Sequence, residues 1–297
     1  MFTLALLLIT AHRLPAPISE IPEPTATARP KAKSKPPAKT QSPRSAPQSP
    51  GNVAASNSKD PGGHSARGFE AAKARDYEKA IAEFSKAIEA EPGDPKNYFN
   101  RGTAYRGAGK LPEALADFSK AIELAPQDAA AYIGRGEVLL AQKQLDPALA
   151  DFDKALQIAP NDPNARRFRG FVFISKSEWQ KAIEDYGVVI QRVPNDGGAY
   201  ERRAFAYRSL KKYKEAIADY TKEIATDPKD PDGYRHRAVA HALAGDNKSA
   251  AADLRALLKI KPDDADAQSR LKALETSATS SPAPTGSTPA PAAASPH

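Results

Sequence analysis

The sequence predicts an all-α chain: an α-solenoid of six helix-turn-helix repeats, closed by one further helix and flanked by disordered ends. Three observations predict it. Pro92, Pro126, Pro160, Pro194, Pro228 and Pro262 stand 34 residues apart. Asp60, Asp94, Asp128, Asp162, Asp196, Asp230 and Asp264 keep the same spacing, without an insertion. Ala80, Ala114, Ala148, Ala182, Ala216 and Ala250 repeat in the same register, each four residues before a ring or a leucine (Phe84, Phe118, Phe152, Tyr186, Tyr220, Leu254). A fixed period of this size marks a stacked array in which each repeat meets its neighbours, not one closed core.

Composition narrows the chemistry. The 297 residues include no cysteine, which excludes disulfides, thiolate metal sites and cysteine nucleophiles. Net charge is +7, unevenly spread: residues 11–60 hold eight cations against three anions, +5 of the total, so the remainder carries only +2. No folded basic face is indicated, and no specific nucleic-acid partner is expected; the basic segment can contact an anionic surface.

Taken in order, residues 1–14 open with the apolar run MFTLALLLITA. Its length suits a secretory signal core and falls short of the roughly 20 residues that cross a bilayer. The expectation is export, to a bacterial periplasm or a membrane tether, with a cytoplasmic location if the leader is not a signal. Residues 15–60 are rich in Pro, Ala, Ser, Thr and Lys and cannot bury enough surface to offset their ordering entropy, so they read as a disordered linker. Residues 278–297 read as a second low-complexity tail.

The periodic part spans 61–277, with repeats at 61–94, 95–128, 129–162, 163–196, 197–230 and 231–264 and a cap at 265–277. In each repeat the first helix follows an Asp whose carboxylate can accept a backbone N–H. Pro95, Pro163 and Pro231 stand at the first helical position, where the missing N–H costs nothing. The second helix starts near position 18, marked by Pro112 and Pro147, and stops before the Pro at position 32. The first repeat opens on Gly62-Gly63 and has Ala71 where an aromatic is expected, so its first helix should fray. The cap should be a solvated amphipathic helix over about 265–276, bearing Asp266, Arg270, Lys272 and Glu275.

Side-chain size repeats as well. Position 8 holds Gly68, Gly102, Gly136, Gly170, Ala204 and Ala238. Facing the alanines at position 20, these let two helices approach closely while the ring at position 24 fills the wedge. Position 7 is Arg in every repeat (Arg67, Arg101, Arg135, Arg169, Arg203, Arg237) and position 23 is acidic in every repeat (Glu83, Asp117, Asp151, Asp185, Asp219, Asp253). Cations that each come with an acid read as a ladder of structural pairs, not as a row of ligand-binding groups.

The small residues at 8, 20 and often 27, aromatics at 4, 11, 17 and 24, and Pro at 32 resemble the tetratricopeptide repeat family; Tyr98, Gly102, Tyr105, Leu111, Ala114, Phe118, Ala121 and Pro126 carry the pattern. Glu223 and Leu257 depart from it at position 27, usually Ala. The resemblance implies a right-handed solenoid and a non-enzymatic scaffold that binds a peptide or helix of a partner protein on a concave face. It also implies which side chains line that face: Phe99, Thr103 and Arg106; Ile133, Glu137 and Leu140; Arg167, Phe171 and Ile174; Glu201, Phe205 and Arg208; Arg235 and Val239. Aromatics and Arg supply most anchor energy in such surfaces. The family's clamp for a C-terminal carboxylate is missing: around Asn100 the required positions hold Ser65, Phe69, Ala130 and Gly134. Self-assembly of copies, and service as an accessory subunit of an envelope or secretion complex, are the alternative readings.

Signals for chemistry fail on inspection. The string GAGK at 107–110 has Leu111 where a phosphate loop needs Ser or Thr, and a helix precedes it. DPDG at 230–233 lacks the later acidic ligand of a calcium loop. His236 and His241, five apart on one helix, face different sides and form no metal pair. No cofactor, metal or catalytic constellation is expected.

Overall fold

Thirteen helices run through residues 63–279, the part of the chain that this computed structural model describes. They are α1 (His64–Lys73), α2 (Tyr77–Ala90), α3 (Pro95–Gly107), α4 (Leu111–Leu124), α5 (Ala129–Ala141), α6 (Leu145–Ile158) and α7 (Pro163–Ser175). Then follow α8 (Trp179–Arg192), α9 (Gly197–Ser209), α10 (Tyr213–Thr226), α11 (Pro231–Leu243), α12 (Asn247–Ile260) and α13 (Ala265–Thr279). No strand occurs among the described residues. The expectations for the leader 1–14, the linker 15–60, the tail beyond 279 and the Asp60 cap lie outside them. α13 continues to Thr279, past the expected end of the cap and into the segment read as tail.

Helix starts follow the capping chemistry. Asp94, Asp128, Asp162, Asp196, Asp230 and Asp264 each accept a backbone N–H two or three residues on. α1 has no such side-chain cap; it begins after Gly63 at φ 60° and runs ten residues, against 13 for the other first helices. The turn inside each hairpin places position 15 in the left-handed region, at Arg75, Gly109, Lys143, Ser177, Lys211 and Gly245.

The described residues form two compact units, divided between Lys176 and Ser177. In the first, α1–α2, α3–α4 and α5–α6 are packed hairpins, and α2, α4 and α6 rest on α3, α5 and α7. The first helices also touch in succession, α1 on α3, α3 on α5 and α5 on α7. Its central core joins Tyr132, Ile133, Leu139, Leu140, Phe152, Leu156 and Val172. In the second unit α9–α10 and α11–α12 are hairpins, α8 packs on α9, α10 on α11 and α12 on α13. Ala204, Ala216, Tyr220 and Ala240 form one of its cores; Ala238, Leu254, Leu257 and Ala267 form another beside α13.

The small-residue register does the close packing that was expected of it. All six alanines at position 20 are fully buried. A Cβ at Gly68 or Gly136 would lie 2.6 Å from the ring of Phe84 or Phe152 in the same hairpin. Another at Gly134 would lie 2.5 Å from Phe118 of the preceding repeat, so one ring is wedged between two helices.

The Arg ladder is present and reaches further than its predicted pairs. Arg101 donates from Nε and Nη2 to both oxygens of Asp117, at 2.7 and 2.8 Å, and Arg135, Arg203 and Arg237 grip Asp151, Asp219 and Asp253 in the same fork. Rings at positions 4 and 11 lie beside the guanidinium, as Tyr98 and Tyr105 do for Arg101. In the first repeat Glu83 takes the role, bonded by Arg67 Nε at 2.8 Å and lying 2.9 Å from His64 Nδ1; His64 foremost holds its carboxyl down to about 2. The remaining nitrogen, Nη1, crosses to position 25 of the preceding repeat: Arg101 to Ser85, Arg135 to Ser119, Arg169 to Asp153 and Arg237 to Thr221, at 2.7–3.3 Å. One guanidinium thus closes its own hairpin and fastens it to the one before.

Position 25 is Gly187 ahead of Arg203, and a Cβ there would sit 3.7 Å from Arg203 Nη1, an open contact. Gly187→Ser is therefore expected to raise stability by about 1–2 kcal/mol, combining the relief of a mid-helix glycine with a hydroxyl acceptor for the guanidinium. Urea midpoints of the two proteins measure it, and Gly187→Ala separates the helix effect from the hydrogen bond.

Candidate functional site

The side chains expected to line a binding face sit on the first helices of the hairpins, and each compact unit carries its own set. In the first unit, Phe99, Thr103 and Arg106 lie on α3, Glu137 on α5, and Arg167 and Phe171 on α7, all partly buried. Phe99 meets Phe118 edge to face with centroids 5.6 Å apart. Thr103 Oγ1 donates 2.9 Å to the Phe99 carbonyl one turn back. Arg106 forms an ion pair with Glu137, tying α3 to α5 along this face. Arg167 donates 2.8 Å to Asn164 Oδ1, and Phe171 rests on the central core.

Ile133 and Ile174 correct the expectation. They are 8% and 3% exposed and Leu140 is fully buried, so all three serve packing and offer no anchor to a ligand. The cause is geometric: α3, α5 and α7 touch directly, so positions 5 and 12 of a middle helix fall into the seam between first helices when the residue is aliphatic. A charged side chain at the same position, such as Arg106, lays its stem across that seam and keeps its head at the surface.

In the second unit the surface is built on α9 and α11. Phe205 meets Trp179 of α8 edge to face, 5.8 Å between centroids at 68°, and the Arg208 guanidinium lies 5.1 Å from the Phe205 ring. Glu201 pairs with Arg202 at 3.1 Å. Trp179, the single tryptophan of the chain, was not foreseen on this surface, although it stands at position 17, where the repeat pattern favours an aromatic. Val239 is partly buried. Arg235 is also corrected: it bonds Asp264 at 2.6 Å and pairs with Asp232, so it fastens α11 to the start of α13. Asp264 is itself buried and holds Ala267 N, and that backbone bond, ahead of Arg235, keeps its carboxyl below the usual range.

Chemically, both surfaces combine rings with cations already held at one side by an acid or a ring. Such groups can bind an extended chain or a helix through apolar contact and charge-assisted hydrogen bonds. Among the described residues no cluster of His, Asp or Glu is placed to hold a metal, and no helix is long and apolar enough to cross a membrane.

A tetratricopeptide repeat family model matches residues 66–129, 99–163 and 202–265, more than half of the chain. No curated protein matches the sequence significantly. Among solved structures, the chain is similar to YrrB, a TPR protein with an unusual peptide-binding site, at 25% identity and a TM-score of 0.58, covering 64% of this chain and 97% of that one. It is similar in fold to PilW, a type IV pilus biogenesis factor (18% identity, TM-score 0.62, 70% and 96% covered). A tetratricopeptide repeat protein from Parabacteroides merdae ATCC 43184 is likewise similar in fold, at 23% identity and a TM-score of 0.55, over 73% of this chain and 91% of that one.

Proposed function

Since the chain belongs to the tetratricopeptide repeat family, we propose that it is a non-enzymatic scaffold that holds a peptide or helix of a partner protein against the first helices of its hairpins. One observation carries the reading: Phe99, Phe171 and Phe205 remain partly buried on those helices, beside Arg106, Arg167 and Arg208, while Ile133, Leu140 and Ile174 have gone into the core. Partly exposed rings flanked by guanidinium groups are the usual source of anchor energy, and a micromolar complex needs only about 8 kcal/mol. The peptide-binding site of YrrB supports the same reading. The mechanism is proximity: the scaffold presents its ligand and makes no bond.

Selection of a displayed random-peptide library on the full chain tests it. Enriched peptides are expected to bind with micromolar affinity and to lose at least about tenfold with Phe171→Ala, Phe205→Ala and Arg208→Ala combined, a loss of 1.4 kcal/mol or more. Unchanged helicity by circular dichroism shows that the variant is folded. Peptides that bind the triple variant as well as the natural chain reject this surface.

A further inference from the structure

We propose that Glu223 makes the joint between α10 and α11 sensitive to protons, closing more firmly when its carboxyl is protonated. Glu223 stands at position 27, where the other repeats place Ala87, Ala121, Ala155, Val189 and Leu257, all 1% exposed or less. Here the same seam encloses a carboxyl group that is 12% exposed. The seam is tight: a Cβ on Gly233 of α11 would come within 2.9 Å of Ile224 Cγ1 and 3.7 Å of Glu223 Cδ. Oε1 lies 3.2 Å from His236 Nδ1 on α11, and Oε2 is buried with no hydrogen-bond partner.

The groups around it set the sign. Glu201 on α9 and Asp230 at the start of α11 add negative charge, and His236 opposes them. Arg237, the next α11 cation, is held by Asp253 and Thr221. Tyr220, on Glu223's own helix, faces the His236 ring at 5.5 Å. An ionised carboxylate with one orphaned oxygen in this seam costs more than the neutral acid. Burial, the leading cause, raises the Glu223 pKa above its ordinary 4.5. A raised folded value means that the carboxyl's stabilising share is complete below about 4.5 and is lost as pH climbs through the folded value.

The joint lies near the described end of the array, where α13 packs against α12; the terminal repeats of such arrays open most readily. Amide hydrogen exchange on the full chain between pH 5 and 7.5, corrected for intrinsic rates, reads it. Protection of α11 amides, relative to Glu223→Gln, is expected to fall across that range, by at most about tenfold for each unit by which the folded pKa stands above 4.5. Glu223→Ala, which restores the residue type of other repeats, guards against a Gln variant that fails to fold and should be equally flat. Parallel profiles for the natural chain and both variants would overturn the proposal. So would a slope that survives Glu223→Gln and vanishes in His236→Asn, since the imidazole would then be the responsive group.

Discussion

Phe152→Ala is expected to lower stability by about 3–5 kcal/mol, the largest effect of any single truncation in the first compact unit. The ring is fully buried at the centre of the core, stacks on Phe168 at 5.6 Å and leaves no room for a Cβ on Gly136. The remaining cavity cannot collapse easily, because the helices on either side are already held by their own arginine forks. Denaturant midpoints followed by circular dichroism measure the loss. Its mirror image sharpens the assignment: Gly136→Ala, which in an unencumbered helix would stabilise, should cost about 1–3 kcal/mol by driving into that ring. Combining it with Phe152→Leu should recover part of the loss. Additive behaviour of the two changes would show that the residues do not share the contact.

The second large effect concerns the ladder. Arg135→Met should cost about 2–3 kcal/mol, because Asp151 is 8% exposed and would keep a charge with its fork removed. The figure stays below that of a wholly enclosed pair because the guanidinium itself is 27% exposed and partly screened by solvent. Replacing both partners, Arg135→Met with Asp151→Leu, should return stability to within about 1 kcal/mol of the original, since no orphaned charge is left. The same midpoint assay reads all three proteins. If the double variant falls as far as the sum of its single changes, the pair is not coupled.

These effects were largely foreseeable from residue order, and the reasons are specific. Pro126 and Asp128 end one helix and begin the next by chemistry internal to a few residues, so helix boundaries could be read directly. Arg135 and Asp151 recur together sixteen residues apart, a spacing that suits opposite helices of one hairpin. What could not be read was the crossing bond at position 25. Ser85, Ser119 and Thr221 look like ordinary solvated helix residues, and only the packing of one hairpin on the next brings Arg Nη1 to them.

The candidate surface was legible in part. The helices that carry its side chains could be read from the sequence, but register alone does not say whether a side chain lies on a face or in the seam beside it. Ile133 and Ile174 went into the seam because they are aliphatic; Arg106, at position 12 like Ile174, stayed out because it is charged. Arg235 was taken up by a buried Asp264 that doubles as a helix cap. Glu223 was noticed as a departure from pattern, yet its burial follows from the close approach allowed by Gly233, which is a property of the fold.

The crossing bond also bears on how such a chain can change its length. Because the crossing nitrogen of each guanidinium reaches the residue 16 places upstream, excising the cassette 129–162 in frame would bring Arg169 to Ser119, the hydroxyl that Arg135 uses now. The new junction would still find a polar acceptor, and no distant partner would be lost. Gain or loss of a whole 34-residue module is then a smaller event for this architecture than the removal of one aromatic ring.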